Sequence, residues 1–232
     1  MFWTFVDASR ISEGTVRFDG KQGHHLARVL RVRPGEHGVA VCGGREHELE
    51  VSEVQGERVI GRIVSERPAL GEAATSVTLL QAVLPNPDFD AVIEAGAAVG
   101  LHQVIAVQAT RSIGRPQASR QARWQAIAQS AAEQSHRAVV PEISGPLSLP
   151  AALDRVTGTR VLALDPGASL PLAGAIDGSP AYAIAVGPEG GWTEREMETL
   201  RGRGALAVSL GPRILRARLA PIVAAAILVQ QK

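Results

Sequence analysis

The sequence predicts an α/β protein in two parts: a small β-rich N-terminal domain, then a larger domain built on a mainly parallel sheet. Three observations lead there. The first seventy residues alternate short β-favouring runs with Gly, Pro and Asp turn signals. Beyond residue 76, apolar runs alternate with stretches of helical period. The chain of 232 residues is 45% hydrophobic and 20% charged, which excludes disorder and allows one large or two small domains.

In the first part, Thr15-Val16-Arg17-Phe18 and Arg58-Val59-Ile60-Gly61-Arg62-Ile63-Val64 read as strands. Asp19-Gly20, Pro34-Gly35 and Gly43-Gly44 supply turns, a spacing suited to a small β-barrel or sandwich. One helix is expected from about Gly23 to Val32, with Leu26, Val29 and Leu30 inward, Arg28 and Arg31 together on another face, and Pro34 as its stop. The segment Glu66 to Ser76 has no periodicity and carries Pro and Gly, so the domains are placed at 1–72 and 73–232.

In the second part, strands are expected at Val77 to Leu84, Val104 to Val107, Val161 to Leu164, Tyr182 to Val186 and Ala205 to Leu210. Helices are expected at Asp88 to Val99 (closed by Gly100), Ser119 to Arg137, Thr193 to Arg201 and roughly Leu219 to Gln230. Thr193 and Glu196 are spaced as a capping box. Ligands of such sheets sit beyond the carboxyl ends of the strands, which singles out two loops. One is Gly187-Pro188-Glu189-Gly190-Gly191-Trp192-Thr193, where bare backbone invites close approach. The other is Leu210-Gly211-Pro212-Arg213-Ile214-Leu215-Arg216, which sets two arginines beside an apolar pair. Neither loop has the spacing of a dinucleotide fingerprint or a Walker P-loop, and no nucleophile elbow is present.

Net charge is only +1, but 22 of the 24 basic residues are arginine. Residues 109 to 139 carry Arg111, Arg115, Arg120, Arg123 and Arg137 against Glu133 alone, and from Thr199 onward there is no acid. A polyanion is therefore a plausible partner, beside the plainer reading of solvated helix faces. Cys42 and six scattered histidines announce neither a disulfide framework nor a metal cluster, so no metal is expected. The longest apolar run, the 11 residues Leu219 to Val229 with Pro221 inside, is too short to span a bilayer. Met1 to Phe5 lacks the basic region of a secretory signal, so a cytoplasmic location is expected. Trp124 reads as core, while Trp192 could stack a base.

Four motifs in order, covering nearly the whole chain, resemble the ribosomal RNA small-subunit methyltransferase E family. They are His24-His25-Leu26 through Val29-Leu30-Arg31; Ala132-Glu133-Gln134-Ser135 with Arg137 and Pro141; Gly187-Pro188-Glu189-Gly190-Gly191; and Leu210-Gly211 with Arg213-Ile214-Leu215-Arg216. The resemblance implies a PUA-like RNA-binding barrel followed by a SPOUT domain with a deep trefoil knot, usually homodimeric. It also implies transfer of a methyl group from S-adenosylmethionine to N3 of a uridine in small-subunit (16S) rRNA. The cofactor would lie against Leu164, Pro166, Gly187, Pro188, Glu189, Gly190, Gly191, Leu210, Gly211, Ile214, Leu215 and Ala220. Arg216 is the candidate cation for the uracil anion and Glu189 the candidate proton acceptor. RNA would contact Arg28, Arg31, Arg111, Arg115, Arg123, Gln134 and Arg137, as free rRNA or as the small ribosomal subunit. Where the family usually continues with Thr-Glu-Thr-Ala, this chain reads Ala217-Arg218-Leu219-Ala220. Ribose methylation and a non-catalytic assembly role stay open as alternatives.

Overall fold

The computed structural model describes residues 1–114 and 120–230. The chain divides into two compact units, Met1–Glu72 with Glu133–Val139, and Ala73–Ala132 with the residues from Val140 onward. The ranges 1–72 and 73–232 do not contain that excursion of Glu133–Val139 into the first unit.

In the first unit, β1 (Phe2–Phe5), β2 (Ile11–Ser12), β3 (Thr15–Phe18), β4 (His37–Cys42), β5 (Arg45–Gln55) and β6 (Arg58–Pro68) form one sheet in the order β1-β4-β5-β6-β3-β2. β1 runs parallel to β4 and every other pair is antiparallel. Register shifts at Glu48/Leu49 and Val51/Glu53 mark bulges, which bend long strands. The alternating inward residues Phe2, Val16, Phe18, Leu49, Val51 and Val59 enclose the core, with Phe2 edge-on to Phe18 at 5.9 Å. Between β3 and β4 lies α1 (Gly20–His24), which widens into a single π-turn at His25–Leu30. The regular helix expected over Gly23 to Val32 is thus replaced. Of its inward trio only Leu26 is buried, while Val29 and Leu30 face solvent.

The excursion Glu133–Val139 completes this unit. Glu133 accepts hydrogen bonds from Thr4 Oγ1 (2.9 Å) and Phe5 N–H (3.2 Å), His136 stacks on Trp3 at 4.6 Å, and Trp3 Nε1 donates to the Arg137 carbonyl. Arg137, 2% exposed, forks onto Glu72 through Nε (3.1 Å) and Nη2 (2.6 Å). It is no RNA contact. A buried guanidinium needs a fixed carboxylate, and a partner 65 residues away leaves no trace in local spacing.

The second unit is built on β7 (Ser76–Ala82), β8 (Gln103–Val107), β9 (Glu142–Leu147), β10 (Arg160–Leu164), β11 (Ala181–Val186) and β12 (Leu206–Val208), in the order β12-β10-β11-β7-β8-β9. Every pair is parallel. Alternation splits the side chains: Val77 and Leu79 of β7 with Tyr182, Ile184 and Val186 of β11 face one core, and Leu80, Ala82, Ala183 and Ala185 face the other. α2 (Asn86–Val99) and α6 (Ala220–Val229) cover the first face, where Trp124 of α3 (Arg120–Gln134) packs on Phe89 at 4.7 Å. α4 (Leu149–Asp154) and α5 (Glu194–Gly202) cover the second through Leu149, Leu153, Met197 and Leu200. α2 starts two residues earlier than expected, with Pro87 tolerated in its first turn, and ends at Gly100 with φ 112°. β9 and α4 are additions to the expected elements. The helix start at Ser119 lies outside the described residues.

Candidate functional site

Because all six strands run the same way, their carboxyl ends share one edge. Leu164, Val186 and Val208, the last residues of the adjacent strands β10, β11 and β12, form the floor of a cavity of about 320 Å³. That volume lies at the lower end of the range for small-molecule sites. Three loops make the walls. In the first, Asp165 Oδ1 accepts the Gly167 N–H (2.9 Å) and Pro166 lines the cavity. In the second, a turn closed by Gly191 N–H to the Pro188 carbonyl (2.8 Å) presents Gly187, Pro188, Glu189 and Gly191. Gly191 sits at φ 68°, where a side chain would be strained. The third presents Leu210, Gly211, Arg213, Ile214, Leu215, Arg216 and Ala217, and Ala220 closes the ring from α6.

Arg216 is held by its backbone, whose carbonyl accepts the Leu219 and Ala220 N–H groups (2.8 and 3.0 Å) at the start of α6. Its side chain is exposed, and among the described residues neither Arg213 nor Arg216 has a carboxylate within ion-pair distance. Arg218 differs, bonding Asp88 at 2.9 Å. Ile214 lines the cavity yet is 84% exposed, an apolar side chain at an open rim. Glu189 lines it with an exposed carboxylate.

Gly190 does not line the cavity. Its carbonyl accepts from Arg111 Nη1 at 2.7 Å, and a Cβ placed there would lie 3.2 Å from Arg111 Cδ. The nearest neighbour of this position is thus the aliphatic stem of Arg111. Arg111 is correspondingly engaged within the protein. Arg123 bonds Asp90 through Nε (3.1 Å) and Nη2 (2.8 Å), Gln134, Arg28 and Arg31 are exposed, and Arg115 lies outside the described residues.

One contribution went unread in the sequence, and one residue expected to stack a base has a different setting. The first is a latch. The expected capping box is present, with Thr193 N–H and Oγ1 both donating to Glu196 Oε2 (2.8 Å each). Oε1 is also used, accepting Thr110 N–H (2.8 Å) and Oγ1 (3.1 Å) from the loop after β8. Burial works to raise the Glu196 pKa, but the bonds from Thr110 and Thr193 outweigh it and hold the carboxyl below its ordinary value. Together with Arg111 on Gly190, the latch holds the glycine loop in shape from outside the cavity. The second is Trp192, which lines the cavity and packs into the second core, leaving its buried Nε1–H without a partner among the described residues.

The fit to an S-adenosyl ligand rests on these observations: apolar walls, bare glycine backbone, and two cations at the mouth with no carboxylate partner among the described residues. Among the described residues there is no group of three or more His, Cys, Asp or Glu able to hold a metal, and no helix is long and apolar enough to cross a membrane.

The family model for the RNA methyltransferase domain matches residues 71–229, and that for the RNA methyltransferase PUA domain matches residues 18–64. The chain is 34% identical over 229 residues to the ribosomal RNA small subunit methyltransferase E of a Synechocystis strain, covering 95% of this chain and 75% of that protein. It is 34% identical over 232 residues to the Mycobacterium tuberculosis protein of the same name, covering 95% and 88%. The crystal structure of the Neisseria gonorrhoeae ribosomal RNA small subunit methyltransferase E, bound to S-adenosyl methionine, superimposes with a TM-score of 0.88. It shares 31% identity, over 97% of this chain and 96% of that one. A family match across both units and relatives at this identity over 95% of the chain place it: the protein belongs to the ribosomal RNA small subunit methyltransferase E family.

Proposed function

We propose that the protein uses S-adenosylmethionine to methylate N3 of a uridine in 16S rRNA, acting in the cytoplasm as a homodimer. The observation that carries this reading is the cavity over β10, β11 and β12, with its apolar walls and the two unpaired guanidiniums of Arg213 and Arg216. The S-adenosyl methionine bound to the Neisseria relative and the ribosomal RNA in the relatives' names support it. Bound there, the cofactor would supply an electrophilic methyl group on a sulfonium.

The rest falls to the chain. Leu164, Pro166, Gly187, Pro188, Gly191, Leu210, Gly211, Ile214, Leu215 and Ala220 hold the cofactor and exclude water, so that the nucleophile meets the methyl in line. Uridine N3 carries a proton, and Glu189 accepts it. Arg216 faces the negative charge that then spreads over the uracil oxygens. Being unpaired, its guanidinium loses no ion pair when it turns to the ring. Arg28, Arg31 and Gln134 contact RNA from exposed positions, while Arg137 holds the fold. The dimer is supported by α6, where Ala224, Ala225 and Leu228 are fully buried against the sheet while Ile222, Val223 and Ala226 on the opposite side are half-buried.

Nucleoside mass spectrometry of 16S rRNA from cells with and without this gene tests the assignment. The N3-methyluridine signal should vanish in the deletion and return with the wild-type gene but not with Arg216→Ala. Loss of a ribose-methylated nucleoside instead would assign the ribose chemistry.

A further inference from the structure

The third wall of the cavity is held differently from the other two. The first has the Asp165 to Gly167 turn and the second the Gly191 to Pro188 turn, whereas Leu210 to Leu215 make no hydrogen bond to any other part of the chain among the described residues. The stretch is fastened at its ends. Before it, the Ser209 N–H reaches the Leu170 carbonyl at 2.9 Å, and after it the Arg216 carbonyl takes the Leu219 and Ala220 N–H groups. Leu210 and Ala217, at those same ends, pack on the first core. One side chain ties the far end to a distant element: Arg218 Nη1 donates to Asp88 Oδ1 at 2.9 Å, across 130 residues.

Asp88 is a firm anchor, because it lies in the first turn of α2 and its neighbour Phe89 is 1% exposed in the core beneath. Both partners of the pair are partly in solvent, 51% exposed for Arg218 and 32% for Asp88, so the pair adds little to global stability. What it fixes is position. Arg216 and Ala217 before Arg218, and Ala220 after it, all line the cavity, and a misplacement of about 1 Å at a reacting centre can cost roughly 10² in rate. A glutamate at 218, as in the family's usual Thr-Glu-Thr run, would meet Asp88 as a like charge, so this fastening is the chain's own. We infer that Arg218 is a positioning residue: through Asp88 it ties the third wall to α2 and sets where Arg216 stands for the cofactor and the uracil. This inference rests on the methyl-transfer reading.

The test is a double-mutant cycle on the full-length protein with Arg218→Gln, Asp88→Asn and the two together, beside Arg218→Lys, which keeps the charge. Three quantities are read: the melting temperature, amide hydrogen exchange at Leu219 and Ala220 without ligand, and single-turnover methyl transfer to 16S rRNA from cells lacking the gene, at saturating cofactor and RNA. The melting temperature should scarcely move. In each single variant exchange at the two amides should quicken about fivefold and transfer should slow about tenfold. The double variant should lose no more, since both changes remove one bond, and Arg218→Lys should keep most of the parental rate. Losses that multiply in the double variant, or parental exchange and rate in Asp88→Asn, overturn the positioning role. So does an Arg218→Gln variant with weaker RNA binding, a flatter salt dependence and the parental rate at saturation, which would make Arg218 a phosphate contact. A parent that transfers no methyl group to 16S rRNA overturns the methyl-transfer reading, while the exchange cycle still decides whether the pair holds the wall.

Discussion

Two arginine-rich stretches look alike on paper, residues 109 to 139 and residues 209 to 219, yet they differ in how much charge they leave free. In the first, Arg123 is paired with Asp90 and Arg137 is buried on Glu72, while Arg111 is held by the Gly190 carbonyl and, like Arg120, has no carboxylate within ion-pair distance among the described residues. In the second, only Arg218 is paired, and Arg213 and Arg216 open onto a cavity. Charge counted along a chain measures what a surface could offer. What it does offer depends on which carboxylates and carbonyls the fold brings up against it.

The contrast can be broken at its strongest point by Arg137→Ala, which removes the charged partner of Glu72, leaving it the Ala138 and Val139 N–H groups, and opens a hole in the first unit. Breaking a buried ion pair of this kind costs about 3 to 5 kcal/mol, to be seen as a lower denaturation midpoint. RNA affinity, measured where the variant is folded, should stay at the parental value. Next comes Arg216→Ala, expected to slow single-turnover methyl transfer by roughly 10² to 10³, about 3 kcal/mol of barrier, with the melting temperature unchanged. If it transfers at the parental rate, Arg213 takes its place as the candidate.

The latch predicts a dependence on pH. The Glu196 carboxyl is held below its ordinary value in the folded state, so its contribution is complete above the usual carboxylate range and is lost as pH falls through the lowered folded value. Cofactor affinity followed by calorimetry should decline over that acid window in the parent and lose this component in Glu196→Gln. The smallest effect belongs to Arg123→Ala. Its guanidinium is exposed although the Asp90 carboxylate is only 19% exposed, and losing the pair should cost about 1 kcal/mol, a small drop in melting temperature with RNA affinity scarcely moved. A large loss of RNA affinity would show that Arg123 exchanges Asp90 for phosphate.

Much of the second unit was legible because its signals are local: apolar runs of strand length, Gly100 closing α2, and the Thr193/Glu196 capping box. The walls of the cavity were legible for the same reason, since loops after parallel strands must meet at one edge. What escaped depends on residues far apart in the chain. Nothing around Arg137 announces Glu72, and nothing around Glu196 announces Thr110. Val29 and Leu30 fit a regular helical stripe, and only the wider turn takes them out of it. Gly190, expected against the cofactor, faces the flexible Arg111 side chain, a neighbour that no local pattern announces.

The excursion of Glu133–Val139 also sets a clock. A nascent chain that has emerged only as far as residue 72 carries Trp3, Thr4 and Glu72 without the partners that complete their unit. Those partners leave the ribosome some sixty residues later, after β7, α2 and β8 have already appeared. The sheet and core of the first unit are complete by Pro68, so that part can form in the usual N-terminal-first order, but its contacts with Glu133–Val139 must wait for a piece of chain that arrives in the middle of the second unit.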